Sequence, residues 1–451
     1  MCKIQDHKKE IGDDQKKNVP LSEEWIKHNV NDPTNEFVIL HKIIPWQKII
    51  DKLVSYYSDN KGRKGTPLKT VIAVLIVAKF RLLSDRAVIG QVKENRFIQY
   101  FCNVSDENLF FFMHHSNLTK LRKRFGIKGI EAIDTVVFNL LRVAKVITND
   151  SMLIDSTVLP NNIIYPTDIG LMFKALEKMK QVANRCHIPV WWDEQDVSKL
   201  WREYNLNRKK TEIINFFFEF ILILSTALLK FEEIVQTLKD SDKNKEEALR
   251  LLDLLILFQE QNEQKLAGER YISNRIVSLD EPEARPIKKG KKHPKCEFGS
   301  TLEFSFNRQG FMVTMENFIG KPNDTTLWSM TTELFKKKMK ATPEYAIADQ
   351  GYRSRVNQTI PKGASHIFLG KSLDVDEDQQ AYCQKARSAT EGFIAVAKNL
   401  RGFDKSLYRG IDGDRIWSIL CQVAYNLKKF LQLYKDEKIS EESLMILGLL
   451  G

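Results

Sequence analysis

Residues 151–162 read SMLIDSTVLPNN, and the fold turns on the fifth of them. Met152, Leu153 and Ile154 form a short apolar run of strand type, and Asp155 follows directly. Desolvating a carboxylate there costs several kcal/mol unless a partner or a metal takes its charge. The same punctuation recurs in EYAIADQGY (residues 344–352), where Ala346, Ile347 and Ala348 lead into Asp349. Each stretch is expected to be a buried strand ending on an aspartate. In an open α/β sheet, ligands bind just beyond the strand ends, so two such aspartates on neighbouring strands can converge on one point. Close carboxylates repel each other unless a shared proton or a cation relieves the charge. Hard divalent ions such as Mg²⁺ take oxygen ligands, and two-metal sites hold their ions about 3.5–4 Å apart.

Upstream of this strand the chain reads as helices. Residues 67–104 carry apolar side chains at three- and four-residue spacing, with Ser84 and Asp85 starting a second helix. In SNLTKLRKRFGIKG, Ser116 is expected to cap a short helix bearing Lys120, Arg122, Lys123 and Arg124, which Gly126 ends. Short helices with a basic last member suit a helix-turn-helix-like DNA reader; a solvated helix face without a partner is the equal alternative. An apolar helix over residues 130–147 leads into the opening strand.

Downstream, residues 166–267 show helical spacing and no strand signal. IINFFFEFILILSTALL (residues 213–229) approaches the length of a membrane span, but Asn215 and Glu219 interrupt it, so a buried core helix is expected. Trp191, Trp192 and Trp201 fit packing in this block, or stacking on an unpaired base at a DNA end. Asp168 fits a helix cap. RPIKKGKKHPK (residues 285–295) places six Lys/Arg in eleven residues. It is either a loop that tracks phosphates through Lys288, Lys289, Lys291 and Lys292, or a solvated loop. TLEFSFNRQGFMVTMENF (residues 301–318) alternates apolar and polar residues about Asn307–Gly310, as a β-hairpin does. A helix, two short strands and two helices complete the chain. Tyr352, just past Asp349, either packs or touches DNA.

With the helical block removed, the order is three antiparallel strands and then strands alternating with helices, the order of an RNase H-like α/β sheet. The expected organisation is a charged arm (residues 1–36) and an all-α DNA-binding domain (37–148), followed by an α/β catalytic core (149–435) and a tail (436–451). A helical insertion, about residues 166–275, interrupts the mixed sheet of the core.

Bulk properties fit this reading. The 451 residues carry a formal charge of +11, which favours a polyanionic partner such as nucleic acid. Six cysteines without a CxxC pair imply neither a disulfide framework nor a zinc site, and the N-terminus has no apolar signal core. A cytoplasmic protein without a membrane span is expected. The chain lacks GxxxxGK[ST], so no nucleotide cofactor is expected.

A third carboxylate lies in CQKARSATEGFIAVAKNLRGF (residues 383–403), where Glu391 follows Arg387 by four residues and precedes Lys398 by seven. These spacings put all three on one helix face. The face can complete a metal shell and hold phosphates, or it can be a surface ion-pair ladder.

With these residues the chain resembles the DDE transposases of bacterial insertion sequences, in the branch carrying Tyr-x2-Arg-x3-Glu-x6-Lys on the last catalytic helix. Arg387, Glu391 and Lys398 fall on the Arg, Glu and Lys positions. Gln384 stands where the signature has Tyr, a departure that touches a supporting contact and not metal binding. Asp155 and Asp349 look like the family's first and second aspartates, and the likeness covers about residues 38–430. The resemblance implies that Asp155, Asp349 and Glu391 hold two Mg²⁺ (or Mn²⁺) ions, with Arg387 and Lys398 assisting at phosphates. It also implies cleavage at the element ends, 3′-OH strand transfer into target DNA, and a homo-oligomer gripping two terminal inverted repeats. A decayed transposase that only binds DNA, and a nuclease without strand transfer, share the same residues.

Overall fold

A computed structural model describes residues 21–57, 65–109, 112–207, 210–240, 243–288, 296–357, 364–370 and 376–449. The described chain falls into two compact units. One joins the residues up to Leu159 with those from Thr301 onward, and the other is Pro160–Ser300.

The first unit begins with helices α1 (Glu23–Asn29), α2 (Glu36–Ile43), α3 (Trp46–Leu53), α4 (Leu68–Phe80), α5 (Asp85–Glu94), α6 (Arg96–Cys102), α7 (Asp106–Leu109) and α8 (Ser116–Val143). Helix α4 is apolar on every side, and all its residues but Lys69 are buried. Such a helix can only sit at the centre of a helical layer, and α3, α5, α6 and α8 pack around it. Ser84 caps α5 as expected, its Oγ accepting from Ala87 N at 3.2 Å. Helix α8 departs from expectation. Ser116 is its first residue rather than its cap, while Gly126 (φ 58°, ψ −169°) leaves helical geometry and ends the basic helix as expected, a second helix following across the kink. A glycine tolerates this left-handed φ, so the chain turns there between the basic helix and the apolar one.

Strand β1 (Ser151–Pro160) follows. It does not stop at Asp155, because Val158 and Leu159 are again buried and extend the strand. The second unit holds α9 (Asp168–Arg185), α10 (Glu194–Leu206), α11 (Lys210–Thr237), α12 (Lys245–Leu266) and β2 (Arg285–Ile287). Its core gathers Met172, Leu176, Phe220, Leu224, Phe231 and Leu255. Among the described helices, only Ile213–Thr237 is long and apolar enough to cross a membrane; one face, through Phe220, Leu224 and Phe231, packs into this core, while Ile214, Phe218, Leu222 and Leu229 on it are exposed. Trp191, Trp192 and Trp201 pack against this core, Trp201 stacking on Phe173 at 4.4 Å. Thr167 rather than Asp168 caps α9, accepting from Gly170 N at 3.1 Å, while Asp168 pairs with Lys265 and Arg275.

Then come β3 (Glu297–Phe306), β4 (Met312–Ile319), α13 (Asp324–Met339), β5 (Tyr345–Ala348), β6 (His366–Leu369), α14 (Glu377–Leu400), α15 (Gly410–Lys435) and α16 (Glu441–Ile446). The mixed sheet runs β3-β1-β5-β6, with β4 antiparallel on β3 along residues 301–306 and β2 antiparallel along residues 297–299. β1, β5 and β6 are parallel. The β3–β4 register shifts at Ser305/Phe306. There α15 supplies the hydrogen bonds: Asn426 both accepts from Met312 N and donates to Met312 O at 2.9 Å, and Gln422 donates to Met312 O and Val313 O at 3.1 Å. Buried amide side chains pay their desolvation this way. The chain is thus an α/β core with extensive helical regions.

Candidate active site

The β1–β5 register pairs Ser151 with Tyr345, Met152 with Ala346 and Leu153 with Ile347, a constant offset of 194 (345 − 151). Two residues further on, the same offset sets Asp155 opposite Asp349 (155 + 194). Asp349 keeps extended backbone angles (φ −79°, ψ 175°), so the strand geometry reaches it. In-register residues of parallel neighbours point to the same face, with the strands about 4.8 Å apart. Extended by two residues, this register gives the two aspartates equivalent positions on neighbouring strands. Each is turned by its own backbone: Asp155 Oδ1 accepts from Ser156 N at 2.7 Å, and Asp349 Oδ1 accepts from Gly351 N.

Helix α14 crosses this edge and packs on β5. It starts from a capping box in which Asp376 accepts from Gln379 N at 2.8 Å and Gln379 Oε1 accepts from Asp376 N at 3.3 Å. Tyr382 then meets Ser151 Oγ at 2.6 Å, anchoring the helix to the start of β1. Arg387 Nη2 lies 4.0 Å from Asp349 Oδ2, and Lys398 Nζ donates to Val158 O at 3.1 Å. One helix face thus spans from Asp349 on one strand to β1 three residues past Asp155. Glu391 lies on that face, one turn past Arg387, and is exposed; Gln384 is exposed as well. Among the described residues, no three His, Cys, Asp or Glu side chains come close enough together to hold a metal ion. Asp155 and Asp349 share equivalent positions of the extended β1–β5 register, and Glu391 lies on the exposed face of α14. Carboxylates offer oxygen donors, the kind that hard divalent ions take rather than zinc.

Sequence reasoning missed Glu303. In TLEFSF it falls on the polar side of an alternating strand, a side that normally faces water. Helix α13 covers that side: Glu303 is 2% exposed and its Oε1 accepts from Thr331 Oγ1 at 3.3 Å. Burial pushes its carboxyl up to about 8, against the hydrogen bonds of Tyr352 and Thr331, and the nearby charges of Asp324 and Asp155 push the same way. A charged residue between Leu302 and Phe304 was the available signal.

The basic candidates separate. Lys120 and Lys123 are exposed on α8. Arg122 is 6% exposed, bonded to both oxygens of Asp85 at 2.9 and 2.6 Å and lying 4.1 Å over the Tyr408 ring. Arg124 is partly exposed, 5.0 Å over the Tyr57 ring. Lys288 is exposed just past β2, whereas Lys289, Lys291 and Lys292 lie outside the described residues.

Residues 25–124 match the family described as Transposase domain (DUF772), from α1 through the basic stretch of α8. An uncharacterised protein, ORF8 in the nfe locus of Rhizobium meliloti, is 28% identical over 161 residues, which is 34% of this chain and 75% of that protein. No solved structure matches. The two matches support a transposase family, and with it a DNA-processing protein of a mobile element.

Proposed function

We propose that the chain is a DDE transposase with an RNase H-like core, cutting DNA at the ends of its element and joining the freed 3′-OH to target DNA. The observation that carries this is the parallel β1–β5 register, whose extension by two residues matches Asp155 with Asp349, together with Arg387 of α14 beside Asp349. The strand order, β4 and β3 followed by β1 and then the parallel β5 and β6, supports the RNase H-like reading.

In this reading Asp155, Asp349 and Glu391 would hold two divalent ions, which supply Lewis-acid activation of the phosphodiester when bound. Arg387 faces the same opening and would hold a phosphate by paired N–H donors. Lys398 donates to Val158 O, which ties the helix to β1, and its ammonium would assist at a strand phosphate. Water attacks phosphorus at the element end and the P–O3′ bond breaks, leaving a 3′-OH and a 5′-phosphate. The 3′-OH then attacks a target phosphorus, passes its proton to solvent and displaces the target's 3′ oxygen. Exposed Lys120 and Lys123 would hold the duplex of an element end, and a pair of chains would hold two ends.

The test is cleavage and joining of DNA carrying the flanking repeats, with Mg²⁺, comparing wild type with Asp155→Ala and Glu391→Ala. Products cut but never joined would identify a nuclease, and binding without cutting would identify a DNA-binding relic.

A further inference from the structure

The turn that carries Asp349 is braced by one buried carboxyl. Asp349 caps the 3₁₀ turn Gln350–Tyr352, and Tyr352, 1% exposed, drives its ring into the core beside Trp328. The Tyr352 hydroxyl donates to Glu303 Oε2 at 2.8 Å, while Thr331 of α13 donates to the other oxygen. Beyond the turn, Asn357 Nδ2 donates to Tyr352 O and to Thr325 O, both at 2.8 Å, tying the segment to the first turn of α13. Gly351 leaves no slack. A Cβ there would lie 2.9 Å from Asp349 Oδ1 and 3.0 Å from Asp324 Oδ2.

The direction of the Asp349 carboxylate thus depends on a short chain of contacts. Its Oδ1 is held by Gly351 N–H, the turn is held by the Tyr352 ring, and the ring is fixed by its bond to Glu303. Packing alone would not call for a carboxylate here, since an apolar side chain fills such a site without desolvation cost. What Glu303 adds is a carboxyl whose two oxygens each meet a hydroxyl from a different element.

We infer that Glu303 is a positioning residue, acting through Tyr352 to aim Asp349 at the strand-end site. The inference rests on the reading of Asp155 and Asp349 as ligands of divalent ions. Partners that hydrogen-bond a metal ligand directly change metal affinity about 10–100-fold when lost; Glu303 acts further out, through Tyr352 and the turn, so the low end of that range is expected.

The test uses the full chain and Mn²⁺, with free Mn²⁺ followed by electron paramagnetic resonance and folding by thermal melting. Tyr352→Phe and Glu303→Leu should each weaken Mn²⁺ binding about tenfold, and the double variant should weaken it no further, because both break the same chain of contacts. Glu303→Gln keeps an acceptor for the Tyr352 hydroxyl and should bind within about threefold of wild type, a pattern general destabilisation would not produce. Tyr352→Phe and Glu303→Gln are near-isosteric and decide the matter even if Glu303→Leu does not fold. The positioning role is overturned if Asp155→Asn and Asp349→Asn abolish Mn²⁺ binding while Tyr352→Phe binds like wild type, or if Glu303→Gln falls as far as Tyr352→Phe. If Mn²⁺ binding ignores Asp155→Asn and Asp349→Asn, the metal-site reading has failed instead, and the positioning role falls with it.

Discussion

Arg122→Ala separates a structural arginine from the DNA-contacting ones its neighbours are proposed to be. The Arg122 side chain is 7% exposed and that of its partner Asp85 is 24% exposed. Removing one member of a buried pair costs about 3–5 kcal/mol, because the other is left with an uncompensated charge. The partial exposure of Asp85 lowers that to roughly 2–3 kcal/mol, since water can reach the orphaned carboxylate. Loss of the guanidinium from the Tyr408 ring adds about 0.5–1 kcal/mol. The expected destabilisation is therefore about 3 kcal/mol. Lys120→Ala and Lys123→Ala should change stability by less than about 0.5 kcal/mol. Each should instead reduce the slope of log K against log salt for duplex binding by about 0.9. Urea unfolding reads the first effect, and fluorescence anisotropy across a salt series reads the second. If Arg122→Ala leaves the unfolding midpoint in place and flattens the salt slope by about one unit, Arg122 contacts phosphate and the reasoning is refuted.

Gly310 has φ +83°, and a Cβ there would come within 2.7 Å of the Phe393 ring. Gly310→Ala should destabilise the chain by more than about 1 kcal/mol in a thermal melt; an unchanged melt would show that α14 can shift freely. His41 is held down to about 3 by burial and by Lys69, whose Nζ is 3.0 Å from its ring. Between about pH 3 and 6.5 the unfolded state binds the extra proton, so this group's contribution is lost as pH falls through that window. His41→Gln should flatten the fall in the urea midpoint below pH 6.5; an unaltered acid limb would assign the loss to other groups. Tyr382→Phe removes the bond to Ser151 and should cost about 1 kcal/mol by the same melt, and a loss near zero would deny that it anchors α14.

The elements whose patterns are local were legible in the sequence: apolar α4, the hairpin around Gly310, and the runs before Asp155 and Asp349. What was not legible depends on long-range pairing. No periodicity in MLID or AIAD says that the strands are parallel neighbours with an offset that sets their aspartates opposite one another. The reading of Asp155 as a strand end failed because β1 outruns β5 and a buried run, Thr157 to Leu159, resumes beyond it. Glu303 was hidden by its strand's own polar alternation, since only the position of α13 reveals that both faces of β3 are covered. Arg122 looked like one of four equivalent cations, and its partner Asp85 lies 37 residues away in sequence.

The central claim is metal-dependent cutting and joining at the Asp155–Asp349 edge, and the most direct test is one reaction: DNA bearing the flanking repeats, Mg²⁺, and either wild type, Asp155→Ala or Glu391→Ala. The account predicts that wild type cuts and joins while both variants bind the same DNA and do neither. Variants that cut and join at the wild-type rate would contradict it.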